Sequence, residues 1–417
     1  MPRPMKDSGV KWLGEIPAHW KINSLFQLFT QVKNRNSDLQ EQNLLSLSYG
    51  KIKRKNIDTT DGLLPESFDG YNIIEADDIV LRLTDLQNDH KSLRVGLAEE
   101  RGIVTSAYLT IRNRSESLAK YLYYYLHSFD IAKGFYGMGA GVRQNLNWNE
   151  MKWLKILSPP LDEQKRIATF LDGECARIDS VIEKTRASIV EYKKLKQAII
   201  TRAVTKGIRP ARTMKDSGVE WLGEIPTDWE VIKLKYISRF MQTKYSKEDG
   251  KLNYIGLENI VSWNGKFIET DSVYDIEQSL ICETGDILFG KLRPYLAKVY
   301  LNTNKQCCSG EFAVIRIDDS MCRPFFFYQL ISHGFIFMVD RSTYGTKMPR
   351  ANADFIKNIC VVVPPMEEQK EIAKYLDEKT AAIDLLVEKK EQLLTELERL
   401  KKSLIFEYVT GKKAVAQ

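Results

Sequence analysis

The stretch FYGMG at Phe135–Gly139 is a first place where residue types and spacing suggest chemistry, because it matches the FxGxG loop that holds S-adenosylmethionine in methyltransferases. Such a loop must leave a buried strand so that its backbone can approach the cofactor. Here the preceding YYYLHSFDIAKG predicts a helix, and the corresponding loop in the second half of the chain, YGTKMPRAN, lacks the glycines. We therefore predict no cofactor-binding loop. A self-contained DNA methyltransferase built on Phe135–Gly139 is the alternative.

Three other patterns could serve catalysis or metal binding. The EQK triplets at Glu163 and Glu368 resemble part of a metal-dependent nuclease site, but they follow Pro-Pro at predicted helix starts, where helix capping explains them. The six cysteines form no CxxC pair, and the four histidines lie at no ligand spacing, so we expect reduced thiols and no metal site. No GxxxxGK[ST] phosphate loop is present. By elimination, the sequence predicts a chain that binds rather than catalyses, with no cofactor of its own.

The composition is that of a globular protein. Its 417 residues exceed one ordinary core, and 43% of them are hydrophobic without a run long enough to span a membrane. The start, MPRPMKDSGV, has no apolar signal-peptide core, which predicts a cytoplasmic location. Lys and Arg outnumber Asp and Glu by 61 to 55, a mild excess that suits nucleic acid without requiring it.

The chain repeats one plan twice. MKDSGVKWLGEIPAHW at residues 5–20 returns as MKDSGVEWLGEIPTDW at 214–229, and the long segment from Pro159 returns from Pro364. Fainter matches keep the same order between these anchors, which indicates an internal duplication. Strand-like runs such as DDIVLRL and TSAYLTIR and the helix-like SLAKYLYYYLHSFDI make each repeat a small mixed α/β domain.

The predicted architecture is α+β, with two similar mixed domains separated by two long antiparallel coiled-coil helices in a pseudo-twofold repeat. The first domain with its lead covers residues 1–158, and the first long helix covers 159–213. The second domain covers 214–363, and the second helix covers 364–417. A pseudo-twofold arrangement also predicts that the two chain termini are neighbours. The tryptophans of the repeated leads are predicted to be packing anchors, and they are Trp12, Trp20, Trp221 and Trp229.

The long segments carry apolar or small residues at alternating steps of four and three, a period near 3.5 that is typical of helices packed side by side. The predicted seam of the first helix is Leu171, Cys175, Ile178, Ile182, Thr185, Ile189, Tyr192, Leu195 and Ile199. That of the second is Leu376, Thr380, Ile383, Val387, Lys390, Leu394, Leu397, Leu400 and Leu404. Charged residues, Lys196 among them, are predicted on the outer faces, where solvation is the ordinary interpretation and contact with DNA phosphate or a partner subunit is the alternative.

Donor-rich loops are the predicted DNA contacts, because Arg or Lys to guanine and Asn or Gln to adenine supply base discrimination. In the first half the candidates are Lys51, Lys53, Arg54, Arg82, Gln87, Asn88, Lys91, Arg143, Gln144 and Asn145. In the second half they are Lys244, Lys291, Arg293, Tyr295, Lys347, Arg350 and Asn352. The halves agree in their frame and differ in these loops, a pattern expected of two readers of different short sequences. A coiled-coil scaffold with no DNA role is the remaining alternative.

The chain resembles the specificity (S) subunits of type I restriction-modification systems over its whole length. The residues that carry the resemblance are the DSGVxWLGEIPxxW leads, PPLDEQ and PPMEEQ, DIVLRLTDLQ, and DILFGKLRPYLAK. It implies two target recognition domains, each reading half of a bipartite DNA site, and helices that set the spacer. It further implies that S-adenosylmethionine, ATP and Mg²⁺ act on partner chains. These are two modification subunits, which dock on the S chain, and the restriction subunits.

Overall fold

The computed structural model describes residues 3–57, 67–89, 92–136, 138, 145–246, 250, 252–270, 279–345 and 347–415. Contacts divide the chain into unit 1, residues 1–185 and 392–417, and unit 2, residues 186–391. Both boundaries fall inside long helices, so each unit contains parts of both. Within the described residues, no helix is long and apolar enough to cross a membrane.

Unit 1 combines short antiparallel strands with parts of the two long helices and several shorter helical segments. Its strands are β1 (Met5–Asp7), β2 (Glu15–Pro17), β3 (Lys21–Ser24), β4 (Phe29–Gln31), β5 (Leu45–Ser48), β6 (Lys51–Arg54), β7 (Asn72–Ile74), β8 (Ile79–Leu81), β9 (Val95–Leu97), β10 (Gly102–Val104), β11 (Leu109–Asn113) and β12 (Lys155–Ser158). Its helices are α1 (Leu25–Leu28), α2 (Ala119–Ile131), α3 (Trp148–Met151), the first part of α4 (Leu161–Lys206) and the last part of α8 (Met366–Val409).

Unit 2 repeats this composition. Its strands are β13 (Met214–Asp216), β14 (Glu224–Pro226), β15 (Glu230–Lys233), β16 (Ser238–Met241), β17 (Tyr254–Ile255), β18 (Leu280–Cys282), β19 (Ile287–Gly290), β20 (Val299–Leu301), β21 (Gln306–Cys308), β22 (Phe312–Ile317) and β23 (Cys360–Val363). Its α-helices are the last part of α4, α5 (Arg323–Leu330), α6 (His333–Arg341), α7 (Ala353–Asn358) and the first part of α8 (Met366–Val409). Its 3₁₀ turns are Leu234–Tyr236, Leu257–Asn259 and Pro294–Leu296.

The central sheets of the two units have the same topology. The strand order is β4-β11-β8-β9 in unit 1 and β16-β22-β19-β20 in unit 2, with antiparallel pairing throughout. The inner strands β8 and β19 are fully buried apolar runs, so both faces of the sheet are covered. The predicted internal duplication of a mixed α/β domain is confirmed.

A buried ion pair recurs on each central sheet. Asp78 and Asp286 are each 1% exposed and accept forked hydrogen bonds of 2.7–2.8 Å from Arg112 and Arg316. Each aspartate also accepts a main-chain N–H at 2.8 Å, from Glu75 in unit 1 and from Glu283 in unit 2. A buried carboxylate needs several donors to offset its desolvation. Both units keep the aspartate, the arginine and the main-chain donor, so the duplication preserved the arrangement of this sheet.

The seams between the long helices differ from the prediction at one position in each copy. Leu195 is 47% exposed and Leu400 is 52% exposed, whereas Lys196 is 7% exposed. In unit 2, Lys196 Nζ donates to both oxygens of Asp384, at 2.8 and 3.0 Å. In unit 1, the half-buried Lys401 Nζ donates to Asp179 at 2.6 Å. The predictions of a leucine in the seam and of Lys196 on the outer face were therefore wrong.

The physical reason is that a lysine stem is apolar and can lie along a helix seam when its ammonium group meets a carboxylate. Burial lowers the pKa of Lys196, and the hydrogen bond from its ammonium group to Asp384 opposes this shift. Hydrophobic periodicity favours leucine over lysine at a seam position, and it cannot show that a carboxylate on the other helix will pair with the lysine. Each seam contains a lysine that pairs with an aspartate of the other helix, which is a further sign that the two seams have matching geometry.

Two tryptophans of the repeated leads are buried anchors. Trp20 is 1% exposed and Trp229 is 0% exposed. Their indole N–H groups donate to Glu163 at 2.9 Å and to Glu368 at 3.1 Å, the acids in the first turns of α4 and α8. The predicted packing role is confirmed, and the two glutamates gain a second function as partners of the leads. The remaining tryptophans of the leads, which pack partly buried against the same cores, are Trp12 and Trp221.

The ends of the described chain meet in unit 1. Arg3 donates to the main-chain oxygen of Gly411 and to that of Lys413 at 3.3 Å, and Lys412 Nζ donates to Glu15 O at 2.6 Å. The predicted proximity of the termini is confirmed for these residues. In unit 2 the matching guanidinium, Arg212, pairs with Glu368, and Arg3 itself lies 3.9 Å from the equivalent Glu163.

A buried histidine makes the stability of unit 1 pH-dependent. His127 on α2 is 7% exposed and stacks on Tyr123, and its Nδ1 has no partner among the described residues. Burial, reinforced by Lys401, lowers the pKa of His127 to about 4. Since this value lies below the ordinary 6.5, the histidine favours the folded state above pH 6.5, and that contribution is lost as the pH falls towards 4.

Replacing His127 by Leu is expected to remove this dependence. Between pH 7 and pH 4, the free energy of unfolding of wild-type unit 1 should fall relative to the variant by about 3 kcal/mol. Urea unfolding of both proteins across this range measures the difference. The unfolding transition of unit 2 is the internal control. A difference that does not vary with pH would contradict a neutral buried imidazole.

Candidate nucleic-acid interface

Each unit holds a pair of loops in the same main-chain frame. The loop that leaves the buried strand begins with Arg82 N donating to Arg94 O at 2.9 Å in unit 1, and with Gly290 N donating to Lys298 O at 2.8 Å in unit 2. We call residues 82–89 with 145–147 the paired loops of unit 1, and residues 291–296 with 344–345 and 347–352 the paired loops of unit 2.

A main-chain hydrogen bond that is common to both units joins the two members of each pair. Leu146 N donates to Leu83 O in unit 1, and Ala351 N donates to Lys291 O in unit 2, both at 2.9 Å. The frame therefore places the same two segments side by side in both units, although their side chains differ.

A short helix follows each pair, and an asparagine caps it. Asn147 accepts from Asn149 N and Asn352 accepts from Asp354 N, both at 2.8 Å. Because the two units share this cap, the side-chain oxygen of Asn352 serves the frame. Sequence reasoning placed Asn352 among the DNA contacts and did not recognise its capping role.

The paired loops of unit 2 bring four cationic side chains together. Lys291 and Arg293 lie on one loop, and Lys347 and Arg350 lie on the other. The loops are joined by Arg293 N donating to Pro349 O at 2.7 Å, and Arg293 Nη2 lies 3.5 Å from Lys347 O. Four candidates that are distant in sequence thus form one basic cluster, and the exposed Tyr295 lies beside Arg293 on the same loop.

One carboxylate, Glu311, balances part of this charge. It forms an ion pair with Arg350, and its Oε2 atom has no partner among the described residues. Burial and the neighbouring Arg350 lower the pKa of Lys291, and Glu311 opposes this shift. Arg350 is therefore engaged within the protein.

Arg293 is the donor with the most unused capacity in the cluster. Its backbone is left-handed, with φ of 50°, at the turn before Pro294. Its buried Nε atom has no partner among the described residues, and its hydrogen bond to Lys347 O is long. Since an arginine has five N–H donors, most of those of Arg293 remain available to a ligand.

The paired loops of unit 1 carry mostly uncharged donors. Asn145 Oδ1 accepts from Asp85 N at 2.9 Å, and Asn88 donates to Asp85 at 2.7 Å. Gln87 and Asn88 are exposed at the tip, and Arg82 lies 3.6 Å from Asp89. The structure thus brings together four predicted residues, Arg82, Gln87, Asn88 and Asn145.

The candidates on β6 lie outside the paired loops. Both Nε and Nη2 of Arg54 donate to Glu100, and Lys51 lies 3.7 Å from Asp179 on α4. In unit 2, Lys266 reaches Asp384 in the same way, at 3.5 Å. This shared contact joins the turn at Lys51 to the long helix. Lys53 is exposed.

The remaining candidates are placed as follows. Lys244 is exposed and opposes Leu280 on β18, away from the cluster contacts. Lys91, Arg143 and Gln144 lie outside the described residues. The FYGMG stretch follows helix α2, as predicted, and Phe135 is a buried core residue.

Two buried or half-buried cations of this frame escaped the sequence analysis. Arg94 is 0% exposed and donates to main-chain oxygens of the 82–89 loop, and Lys298 donates to Leu257 O at 2.7 Å and to Ile260 O at 3.0 Å. A signal existed, because both residues immediately precede a matching strand, β9 or β20. A search for donor residues in predicted exposed loops does not consider a position next to a strand.

Metal and thiol chemistry find no support in the described part of the chain, where no group of three or more His, Cys, Asp or Glu side chains could hold a metal ion. The cysteines are free, and burial raises the pKa of the Cys175 and Cys307 thiols to about 11. These thiols are protonated at neutral pH and are poor ligands and nucleophiles.

Comparison with known proteins assigns the family. The family model described as the type I restriction modification DNA specificity domain matches twice, over residues 17–189 and 226–395. The chain belongs to this family. As a type I specificity subunit it recognises DNA sequence and is not catalytic, so the corresponding predictions are confirmed and the two alternatives are disfavoured.

Relatives and solved structures agree. The MjaVIII specificity subunit of Methanocaldococcus jannaschii is 27% identical over 75% of both chains. The putative MjaX specificity subunit of the same organism is 26% identical over 96% of this chain and 95% of its own. A chain from a structural study of complex assembly and conformational transition of the type I R-M system superposes with a TM-score of 0.69, at 16% identity over 95% of this chain and 99% of that one. The HsdS subunit from Thermoanaerobacter tengcongensis gives 0.52, at 16% identity over 95% and 98%. The structural likenesses show a shared fold.

Proposed function

We propose that this specificity subunit reads a bipartite DNA target, with the paired loops of each unit contacting one half. The observation that carries the proposal is the combination of a constant frame and variable side chains. The same main-chain hydrogen bonds hold both pairs of loops, whereas unit 1 presents Gln87, Asn88 and Asn145 and unit 2 presents a basic cluster. Two domains that recognise different DNA sequences would share a main-chain frame and differ in these side chains.

The donor types set what each unit would read. Arginine and lysine pair with the O6 and N7 acceptors of guanine, and asparagine and glutamine pair with adenine. We therefore propose guanine contacts from Arg293 and Lys291, with Lys347 and Lys244 neutralising phosphate. In unit 1 we propose adenine contacts from Gln87 and Asn88. Arg143, Gln144 and Lys91 remain predicted contacts of the same half-site.

We further propose that α4 and α8 form an antiparallel coiled coil that sets the spacer between the half-sites. The 46 residues of α4 would extend about 69 Å as a straight helix. Support comes from the buried seam residues Ile178, Ile182 and Ile189 and from the repeated Lys–Asp pairs. Two modification subunits and the restriction subunits are the proposed partners, and they would bring S-adenosylmethionine, ATP and Mg²⁺. Membership of the specificity-subunit family is also the basis on which we propose a cytoplasmic location.

Replacing Arg293 by Ala tests the assignment of unit 2. Discrimination at one base pair of one half-site should fall by about 5- to 150-fold, because a good bidentate contact contributes about 1–3 kcal/mol. The measurement is equilibrium binding of the complex to duplexes that carry each base substitution. The other half-site should keep its full discrimination.

Arg239→Ala is the matched control, since Arg239 is an exposed arginine of unit 2 on β16, outside the paired loops. It should leave both half-sites unchanged. If Arg293→Ala weakens binding equally on all sequences, Arg293 contacts phosphate and its assignment to a base is wrong.

A further inference from the structure

The loop 82–89 is folded around one buried arginine. Arg94 is 0% exposed, and its guanidinium donates to five oxygens. Four of these belong to the main chain of the loop: Nη1 reaches Arg82 O at 3.0 Å and Thr84 O at 2.8 Å, and Nη2 reaches Asp85 O at 3.4 Å and Asp89 O at 2.6 Å.

The hydroxyl of Tyr136 completes the set. It accepts from Arg94 Nε at 3.1 Å and donates to Asp89 O at 2.8 Å, so it connects the guanidinium to the end of the loop. Arginine has five N–H donors in a rigid plane, and here each has an acceptor. Lysine has three donors and cannot satisfy this set.

The surroundings retain the positive charge. Asp130 is 1% exposed and accepts from the main-chain N–H of Arg94 at 2.6 Å. Burial raises the pKa of Asp130 to about 6, and the hydrogen bond from the main-chain N–H of Arg94 opposes this shift. Main-chain carbonyl groups and the Tyr136 hydroxyl thus replace the water that the buried guanidinium loses.

The consequence for the loop is geometric. With the oxygens of Arg82, Thr84, Asp85 and Asp89 turned towards Arg94, the loop closes on itself and Asp85 adopts a φ of 56°. The side chains of Gln87 and Asn88 remain exposed at the tip. A donor reads a base edge only if its backbone is fixed to within a fraction of an ångström.

We propose that Arg94 is a positioning residue for base recognition by unit 1, which fixes the loop 82–89 so that Gln87 and Asn88 meet the DNA in one conformation. This inference rests on the proposed function of the paired loops. Unit 2 uses the matching residue differently, since Lys298 holds the turn at Leu257–Ile260. Arg94 is therefore specific to the reader of unit 1.

The test uses the full-length chain in complex with its modification subunits and DNA libraries randomised in one half-site at a time. In Arg94→Lys, base discrimination at the half-site of unit 1 should fall at least about tenfold, because at least two of the five acceptors lose their donor. Discrimination at the other half-site should be unchanged. Tyr136→Phe removes one hydroxyl and should give a smaller loss of the same kind.

Arg112→Lys is the matched control. It removes the forked pair with the buried Asp78 on the same sheet, because lysine offers one nitrogen, and it should lower the melting temperature of unit 1 without loss of discrimination. Hydrogen exchange of the free protein adds an independent measurement. The amides of residues 83–89 should exchange at least about tenfold faster in Arg94→Lys, and those of residues 286–290 should not.

Three results would overturn the proposal. They are unchanged discrimination in both Arg94→Lys and Tyr136→Phe, unchanged amide exchange in Arg94→Lys, and an equal loss of discrimination in Arg112→Lys. If the wild-type complex selects no sequence at all, the proposed function fails first and the role of Arg94 falls with it. Selection by the wild type with unchanged selection by the variants refutes the role of Arg94 alone.

Discussion

Removing one heptad from each long helix is expected to shorten the spacer of the DNA target by about 3 base pairs. Seven helical residues correspond to about 10 Å, and duplex DNA rises 3.4 Å per base pair. Deleting residues 184–190 and 390–396 leaves the Asp179–Lys401 and Lys196–Asp384 pairs in place. A heptad deletion also changes the facing of the helix by only about 20°. Selection from libraries with varied spacer length measures the outcome.

A length-preserving control separates spacing from helix identity. Replacing the same two heptads with seven-residue segments from elsewhere in α4 and α8 should leave the spacer as it is in the wild type. If the double deletion assembles, binds and still prefers the original spacer, the helices do not set the distance, and the spacer proposal is wrong.

Replacing Trp229 by Ala is expected to destabilise unit 2 by about 3–5 kcal/mol. The indole is 0% exposed, so its loss leaves a large cavity in the core. The variant also removes the N–H that reaches Glu368 at 3.1 Å, although Arg212 still pairs with this carboxylate. Urea unfolding with separate probes for the two units measures the effect, which should be confined to unit 2.

Trp229→Phe is the companion variant, because it keeps an aromatic ring in the core and loses the N–H together with part of the ring volume. It should cost about 1–2 kcal/mol. Trp20→Ala should reproduce the large effect in unit 1, where Glu163 is the partner. A Trp229→Ala protein of undiminished stability with weakened DNA binding would assign the indole to base stacking instead of packing.

Much of the fold was predictable because the duplication repeats it. The strands at Ile79–Leu81 and Leu109–Asn113, the helix α2 and the two long helices follow from period and composition, and each prediction is confirmed. Local periodicity is sufficient where one element buries one apolar face. The prediction from periodicity failed at Leu195, because the residue that enters the seam there does so by pairing with a carboxylate on the other helix.

The candidate interface was predictable in kind and only partly in detail. Donor-rich loops include Lys291, Arg293 and Arg350, which the structure clusters, but sequence cannot show that Asn352 caps a helix or that Arg54 pairs with Glu100. Those assignments depend on hydrogen bonds between distant segments. Arg94 was missed for the same reason, since its acceptors are main-chain oxygens of another segment.

The discontinuity of unit 1 affects the order of folding during translation. Unit 2 is one continuous segment, residues 186–391, whereas unit 1 needs residues 392–417 in addition to residues 1–185. Ile405 and Val409 are part of its core, and Tyr121 donates to Val409 O at 3.1 Å. Because a domain folds as a unit once its core is available, the segment that the ribosome makes first must wait. Unit 2 can be complete while the core of unit 1 still lacks its last helix.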